Sequence, residues 1–462
     1  MRKCGAGFPL GPYRAAAGLA AMTQGAGELD SDRAMPYGSP IGFAPRNPDE
    51  PRIRARPPKD ARAFRETNML HTVSAFDRIG EENAFAVLAR ATALANSGRD
   101  IINLGIGQPD FRTPEHIVEA AIKALRDGHH GYTPANGLIA TREAVVRRTL
   151  ATTGIEVSPE SVMILPGGKP TMYAAILMFG EPGAEILYPD PGFPIYRSMI
   201  EFTGATPVPV PVREENGFAF SAEETLSLIT PKTRLLILNS PANPTGGVTP
   251  RAEIEKLVKG LADHPDVAIM SDEIYDVMTY DGEAHCSLLT FPEIRDRLIV
   301  LNGWSKTWAM TGWRMGWSIW PEVLMDKIRK LAVNCWSCVN APSQFAGIAA
   351  IDGPQDDVET MMRAFDRRRK VVVEGLNALP GVSCATPKGA FYAFPNISQT
   401  GWKAKKLASA LLEEAGVALI GGPDFGILGE GYVRLSYANS EENIVRALER
   451  VDGFLRAHSA PA

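Results

Sequence analysis

Five short apolar runs constrain this chain more than any other feature: Val162–Leu165, Glu185–Tyr188, Leu235–Leu238, Val267–Met270 and Leu298–Leu301. Each ends in a turn built from Gly, Pro, Asn, Ser or Asp. Runs this short read as buried strands rather than helices, and the helical stretches between them predict an α/β domain with a mainly parallel sheet. Gly167, Asn243, Asp272 and Lys306 all follow such runs. Open α/β sheets bind ligands beyond strand C-termini, which makes these four the first site candidates.

The last run leads into NGWSKTWAMTGWRMGW, residues 302–317. A lysine held among tryptophans and small residues is desolvated, which disfavours its ammonium and frees an amine for Schiff-base chemistry. Arg314 lies between Gly312 and Gly316, where a guanidinium reaches a phosphate with little obstruction. Amine plus anion clamp suggests an aldehyde that carries a phosphate. Composition alone also allows a buried strand and turn with snorkelling charges.

The motif SK-x₃-MTGWR-x-G, Ser305 to Gly316, resembles the cofactor-lysine signature of the class I/II aminotransferases of the aspartate aminotransferase type. The resemblance implies pyridoxal 5'-phosphate as cofactor, held covalently by Lys306 with Ser305 beside it, and Arg314 on its phosphate. It also implies fold type I: a large domain with a seven-stranded-type, mainly parallel sheet flanked by helices, plus a smaller α+β domain. Other segments match the same family in the same order. NLGIGQPDF-x-TP, from Asn103, is similar to the opening of the catalytic core, where Gly107 would lie against the substrate carboxylate. Arg112 stands there at a position that is often acidic in relatives. Tyr132 begins a Y-x-P-x-x-G element whose tyrosine reaches the phosphate of a neighbouring subunit's site, which implies a homodimer.

Pro166-Gly167-Gly168-Lys169 precedes a helical run from Thr171 to Phe179, with Pro170 suited to the first helical position. Free backbone N–H groups and the helix dipole make such a turn an anion site, so Gly167, Gly168 and Lys169 are assigned to the phosphate region. Phe193 occupies the family's ring-stacking position. Asn243, in the turn NSPANPTG, matches the asparagine that donates to the cofactor's phenolic oxygen and borders the substrate. Asp272 stands where a carboxylate would pair with the pyridine nitrogen and keep the ring an electron sink. Tyr275, three positions on, would reach the phenolic oxygen. Arg434, in Tyr432–Tyr437, matches the arginine that grips the substrate α-carboxylate with a two-toothed fork. By that resemblance Lys306, Asp272 and Tyr275 are the catalytic set.

The division expected is an unstructured extension over 1–65, a segment 66–104 joining the small domain, a large cofactor domain over 105–345 and a small domain over 346–462. The extension is rich in Gly, Pro, Ala and Arg, and its basic residues Arg2, Lys3 and Arg14 faintly resemble an organelle transit peptide. A start placed too early is the other reading, with Met22, Met35 and Met69 as alternatives. A net charge of −5 without a basic, aromatic-interleaved stripe argues against nucleic acid. Arg367-Arg368-Arg369-Lys370, the one dense basic run, reads as a solvated helical face. Five cysteines point to a reducing, cytoplasmic compartment rather than a disulfide framework. Cys335 and Cys338 read as two small helix residues, and no metal site is expected. No apolar run approaches the ~18 residues of a membrane span.

These residues imply an aminotransferase that moves an amino group between an L-amino acid and a 2-oxo acid with ping-pong kinetics. A C–S lyase or decarboxylase on the same fold is the rival enzyme, and a ligand sensor with an aminotransferase-like domain is the rival from another class. Lys169 matches a lysine that contacts the distal carboxylate of aspartate in one branch, which favours aspartate or glutamate as donor. Against that branch, Pro170 replaces Gln, and Glu81-Glu82-Asn83 lacks the small hydroxyl-bearing closing segment.

Overall fold

The computed structural model describes residues 71–80 and 82–458. The expectations for the 1–65 extension, including its alternative starts, and for Glu81 fall outside the described residues. Among the described residues twelve strands form three sheets: β1 (Ile102–Asn103), β2 (Val162–Leu165), β3 (Glu185–Asp190), β4 (Thr206–Pro211), β5 (Thr233–Asn239), β6 (Ala268–Asp272), β7 (Leu298–Gly303), β8 (Gly316–Ile319), β9 (Tyr392–Ala393), β10 (Val417–Ala418), β11 (Ile420–Gly421) and β12 (Val433–Ser436).

The five apolar runs all lie in the seven-stranded sheet, ordered β2-β8-β7-β6-β5-β3-β4. Its strands pair in parallel except β8, which runs antiparallel to both neighbours. Alternation along each strand divides its side chains between two cores. Leu236, Leu238, Ile269, Leu298 and Val300 pack on one face, while Leu235, Ile237, Met270, Ile299 and Leu301 pack on the other. Both faces are covered by helices, so neither tolerates polar residues and the strands read as unbroken apolar runs.

A second core gathers the C-terminal elements. Helices Asp356–Asn377 and Glu441–Ala457 pack beside the antiparallel sheet β11-β12-β9 and the parallel pair β1-β10. The helix Asn83–Asn96 joins this part through Ala91, against Leu412 and Ala418. Just before it, residues 74–80 are tied to the larger part: Arg78 Nε donates to the Glu201 carbonyl at 2.8 Å and Gly80 N–H to Ser198 Oγ at 2.8 Å. Gly80 is therefore held on the larger core, while the helix that begins at Asn83 belongs to the smaller one.

The expected division at 345/346 falls within the helix Ala341–Asp352, whose Ala346 and Ala350 pack in the core of the larger sheet, and we propose Gly353 as the division instead. Three other expectations change. Pro170 occupies the second position of its helix, which begins at Lys169. Cys335 ends the helix Glu322–Cys335 and Cys338 lies beyond it, because Ser337 turns into the left-handed region at φ 60°. The basic run is not wholly solvated: Arg369 is 1% exposed, pairing with Asp281 and Asp366 at 2.7 and 2.6 Å and lying over the Tyr280 ring. Helical periodicity turns one residue in four of any such run inward, and here two carboxylates wait for it. Arg369→Met should lower stability by about 2–3 kcal/mol, the low end for breaking a buried pair because both partners are partly solvated. A urea titration monitored by tryptophan fluorescence would measure it, and an unmoved midpoint would refute the assignment.

Candidate active site

Strand ends build the site. Asp272 is the last residue of β6, and beyond the C-termini of β5 and β7 lie Asn243 and the single helical turn Trp304–Thr307 that carries Ser305 and Lys306. Gly168 and Lys169 start the helix after β2. These residues, with Gly107, Phe193, Tyr275, Arg314 and Arg434, line one cavity of about 570 Å³ between the two cores. Gly167 sits just behind it, and Tyr132 stands apart, 94% exposed and outside its own chain's cavity.

At one end lies Asp272, 2% exposed. Tyr196 Oη donates to its Oδ2 at 2.6 Å, and the Ile274 N–H donates to Oδ1 at 3.3 Å. Burial nevertheless pushes its pKa up to about 6, because a carboxylate loses more hydration than two donors restore. Such a group gains most from a cationic neighbour, which the cavity leaves room for.

Lys306 lies at the middle. Its Nζ donates to the Gly107 carbonyl at 2.5 Å and sits near the faces of Tyr275 and Phe391. Burial, then the charges of Arg434 and Arg314, lower its pKa to about 8, so a usable fraction is free amine near neutral pH. Tyr275 Oη and Tyr392 Oη share a hydrogen bond of 2.8 Å. A Cβ on Gly107 would fall 2.2 Å from Tyr392 Oη, so only glycine lets this loop approach.

The wall from the smaller core presents Arg434, 3% exposed and stacked 4.6 Å from both Tyr392 and Phe425. Its Nη1 donates to Asn243 Oδ1 at 2.9 Å and its Nη2 to the Gly105 carbonyl at 2.5 Å, while Nε has no partner. No described carboxylate pairs with it. A buried guanidinium held only by neutral oxygens is a site for an anionic ligand, since an unpaired buried charge is costly.

The opposite end offers the start of the helix Lys169–Phe179 beside Arg314; there Pro170 carries no N–H and the Thr171 N–H donates to the Gly168 carbonyl at 3.1 Å, so the helix dipole and the Gly168 turn are what favour an anion. Arg314 is in the left-handed region at φ 54°, with Nη1 donating to the Thr311 carbonyl at 2.8 Å. A Cβ on Gly167 would stand 2.3 Å from Arg314 Nη2, which explains the glycine there. Lys169 turns away from this end and pairs with Glu82.

Tyr196, Tyr392, Phe425 and Glu82 are site residues that local sequence did not single out. Tyr196 follows Phe193 by three residues, but nothing local tells an inward hydroxyl from a packed ring. The others sit in segments that meet the site only after folding. Taken together, an amine flanked by a buried carboxylate at one end and an anion-binding turn at the other fits pyridoxal 5'-phosphate, whose aldehyde lies between a ring nitrogen and a phosphate. Among the described residues no group of three or more His, Cys, Asp or Glu gathers as a metal site, and no helix is long and apolar enough to cross a membrane.

The family described as aminotransferase class I and II matches residues 99–451. An aspartate aminotransferase of Geobacillus stearothermophilus is 38% identical over 380 residues, 81% of this chain and 96% of that protein. An aromatic-amino-acid aminotransferase 2 of Thermococcus litoralis is 39% identical over 369 residues, 79% and 94% of the two chains. The crystal structure of the aspartate aminotransferase from Rhizobium meliloti superposes with a TM-score of 0.80 at 32% identity, covering 84% of this chain and 99% of that one.

Proposed function

We propose, from the premise that this chain belongs to the aminotransferase class I and II family, that its cleft moves the amino group of aspartate or glutamate to a 2-oxo acid. The chain is a pyridoxal-phosphate-dependent aminotransferase, acting on amino acids and oxo acids. When bound, the cofactor supplies an aldehyde and an electron sink.

The protein's own residues do the rest. Arg434 receives the α-carboxylate, and its burial in the cavity of Lys306 with no described carboxylate partner and with Nε unbonded is the observation that carries this reading. Lys306 would hold the cofactor, and as a free amine its Nζ would take the proton from the substrate Cα and deliver it to the former aldehyde carbon, two bonds away across the nitrogen. Asp272, ionised, holds the ring nitrogen protonated, with Tyr196 fixing its orientation. Asn243 has its carbonyl engaged by Arg434, which leaves its NH₂ to donate to the phenolic oxygen alongside Tyr275. Phe193 covers one ring face. Ser305, Gly167, Gly168 and Arg314 would surround the phosphate, whereas Lys169, expected there from the sequence, pairs with Glu82 instead. Gly107 leaves space at the substrate carboxylate. Tyr132, exposed on its own chain, is proposed to reach the phosphate of a second copy, which makes the enzyme a homodimer. A cytoplasmic location belongs to the same reading, supported by the four free cysteines among the described residues.

The test uses the holoenzyme and L-aspartate without an oxo acid. The cofactor absorbance should shift once, with one equivalent of oxaloacetate per site, and return on adding 2-oxoglutarate. Steady release of ammonia or carbon dioxide would point to a lyase or decarboxylase. An unmoved spectrum would remove aspartate as donor.

A further inference from the structure

We propose that Glu82 selects the side chains this cleft accepts, by competing with a substrate's distal carboxylate for the ammonium of Lys169; this rests on the aminotransferase reading above. With the α-carboxylate on Arg434, a second carboxylate on the substrate needs a second cation. Lys306 and Arg314 are engaged at the centre and the phosphate end, so Lys169 is the cation left on that wall. It is already paired with Glu82.

The pair is built to exchange. Its side chains are 43% and 23% exposed, a setting in which ion pairs are weak and replaceable. Glu82 lies next to Asn83, which donates to Asp424 Oδ1 at 2.6 Å, and two positions after Gly80, which is tied to Ser198. Its charge reaches deep into the cavity, favouring the charged forms of both Lys306 and Arg434. Glu82 thus supplies, before substrate arrives, the negative charge that a dicarboxylate would bring.

Two substrate classes follow from two states of one pair. Closed, the Lys169–Glu82 pair is neutral overall and sits among apolar surfaces: the rings of Phe85 and Phe193 lie 5.5 and 5.4 Å from Lys169 Nζ. Phe85 is exposed at the mouth of the cavity and can cover an entering side chain. This state takes aromatic or aliphatic amino acids without breaking any ion pair. Aspartate or glutamate must displace Glu82, which then turns to solvent.

The holoenzyme and its Glu82→Gln, Lys169→Met and double variants are compared by kcat/KM for L-aspartate and L-phenylalanine, each with 2-oxoglutarate. Glu82→Gln should raise the aspartate-to-phenylalanine ratio about five- to tenfold, by removing a competing anion and its repulsion. In the Lys169→Met background the same substitution should have no effect on that ratio, because Glu82 acts through the lysine. An unchanged ratio in Glu82→Gln, or equal losses for both substrates, would overturn the proposal. Wild-type enzyme that ignores aspartate while Glu82→Gln accepts it would uphold the selector and remove the aspartate reading. Wild-type enzyme that uses aspartate with no response to Glu82→Gln would do the reverse.

Discussion

Lys306→Ala should lower kcat for amino transfer by about 10⁴-fold, the upper end of what one positioned proton-transfer group contributes. Lys306 is the amine in the cavity that lies within reach of both the Gly107 loop and the centre of the site, and no described neighbour can replace it. Its lowered pKa adds a pH signature. In cofactor-free protein the amine form grows as pH rises through about 8, so covalent capture of pyridoxal phosphate should accelerate over that range. Alanine removes this limb as well as the rate. Circular dichroism would establish that the variant is folded, and a variant within tenfold of the wild-type rate would refute the role.

Asp272→Asn should reduce kcat/KM by about 10²–10³-fold and weaken cofactor binding, since truncating one member of a buried charge pair costs about 2–5 kcal/mol. An amide has the carboxylate's shape but cannot hold a ring nitrogen protonated. The pH dependence follows from burial. In cofactor-free protein Asp272 ionises only above about pH 6, higher than an ordinary carboxyl group, so cofactor affinity should fall as pH drops through that value. Tyr196→Phe removes a donor to the ionised form and should move this limb to higher pH. Equilibrium dialysis of cofactor against pH measures both effects. An affinity flat between pH 5 and 8 would count against Asp272 as the ring's partner.

Much of the site was legible because it sits where local patterns end. Asn243 and Lys306 follow buried strands and Asp272 ends one, and a strand buried on two faces advertises itself as an unbroken apolar run. The turn chemistry at Gly167 and Gly168 was equally local, since a glycine at φ 91° before a helix start needs no distant partner. Small strands of the second core were less visible. Tyr392–Ala393 is two residues long within a longer apolar stretch, because its partner β12 offers it only two paired positions.

Long-range packing assigned what no window of sequence could. Arg369 and Arg367 are indistinguishable as neighbours in a basic run, yet one is sealed between Asp281 and Asp366, 88 and 3 positions away. Lys169 looked like an open anion contact until folding placed Glu82 against it, 87 positions distant. The same holds for Tyr196 on Asp272 and for Tyr392 on Tyr275. Periodicity and turn chemistry are properties of adjacent residues, so the order of residues alone reveals strands, their ends and the amine and carboxylate they carry. Protonation, charge pairing and substrate access depend on which distant groups share a cavity, and only the closing of two cores around one cleft decides that.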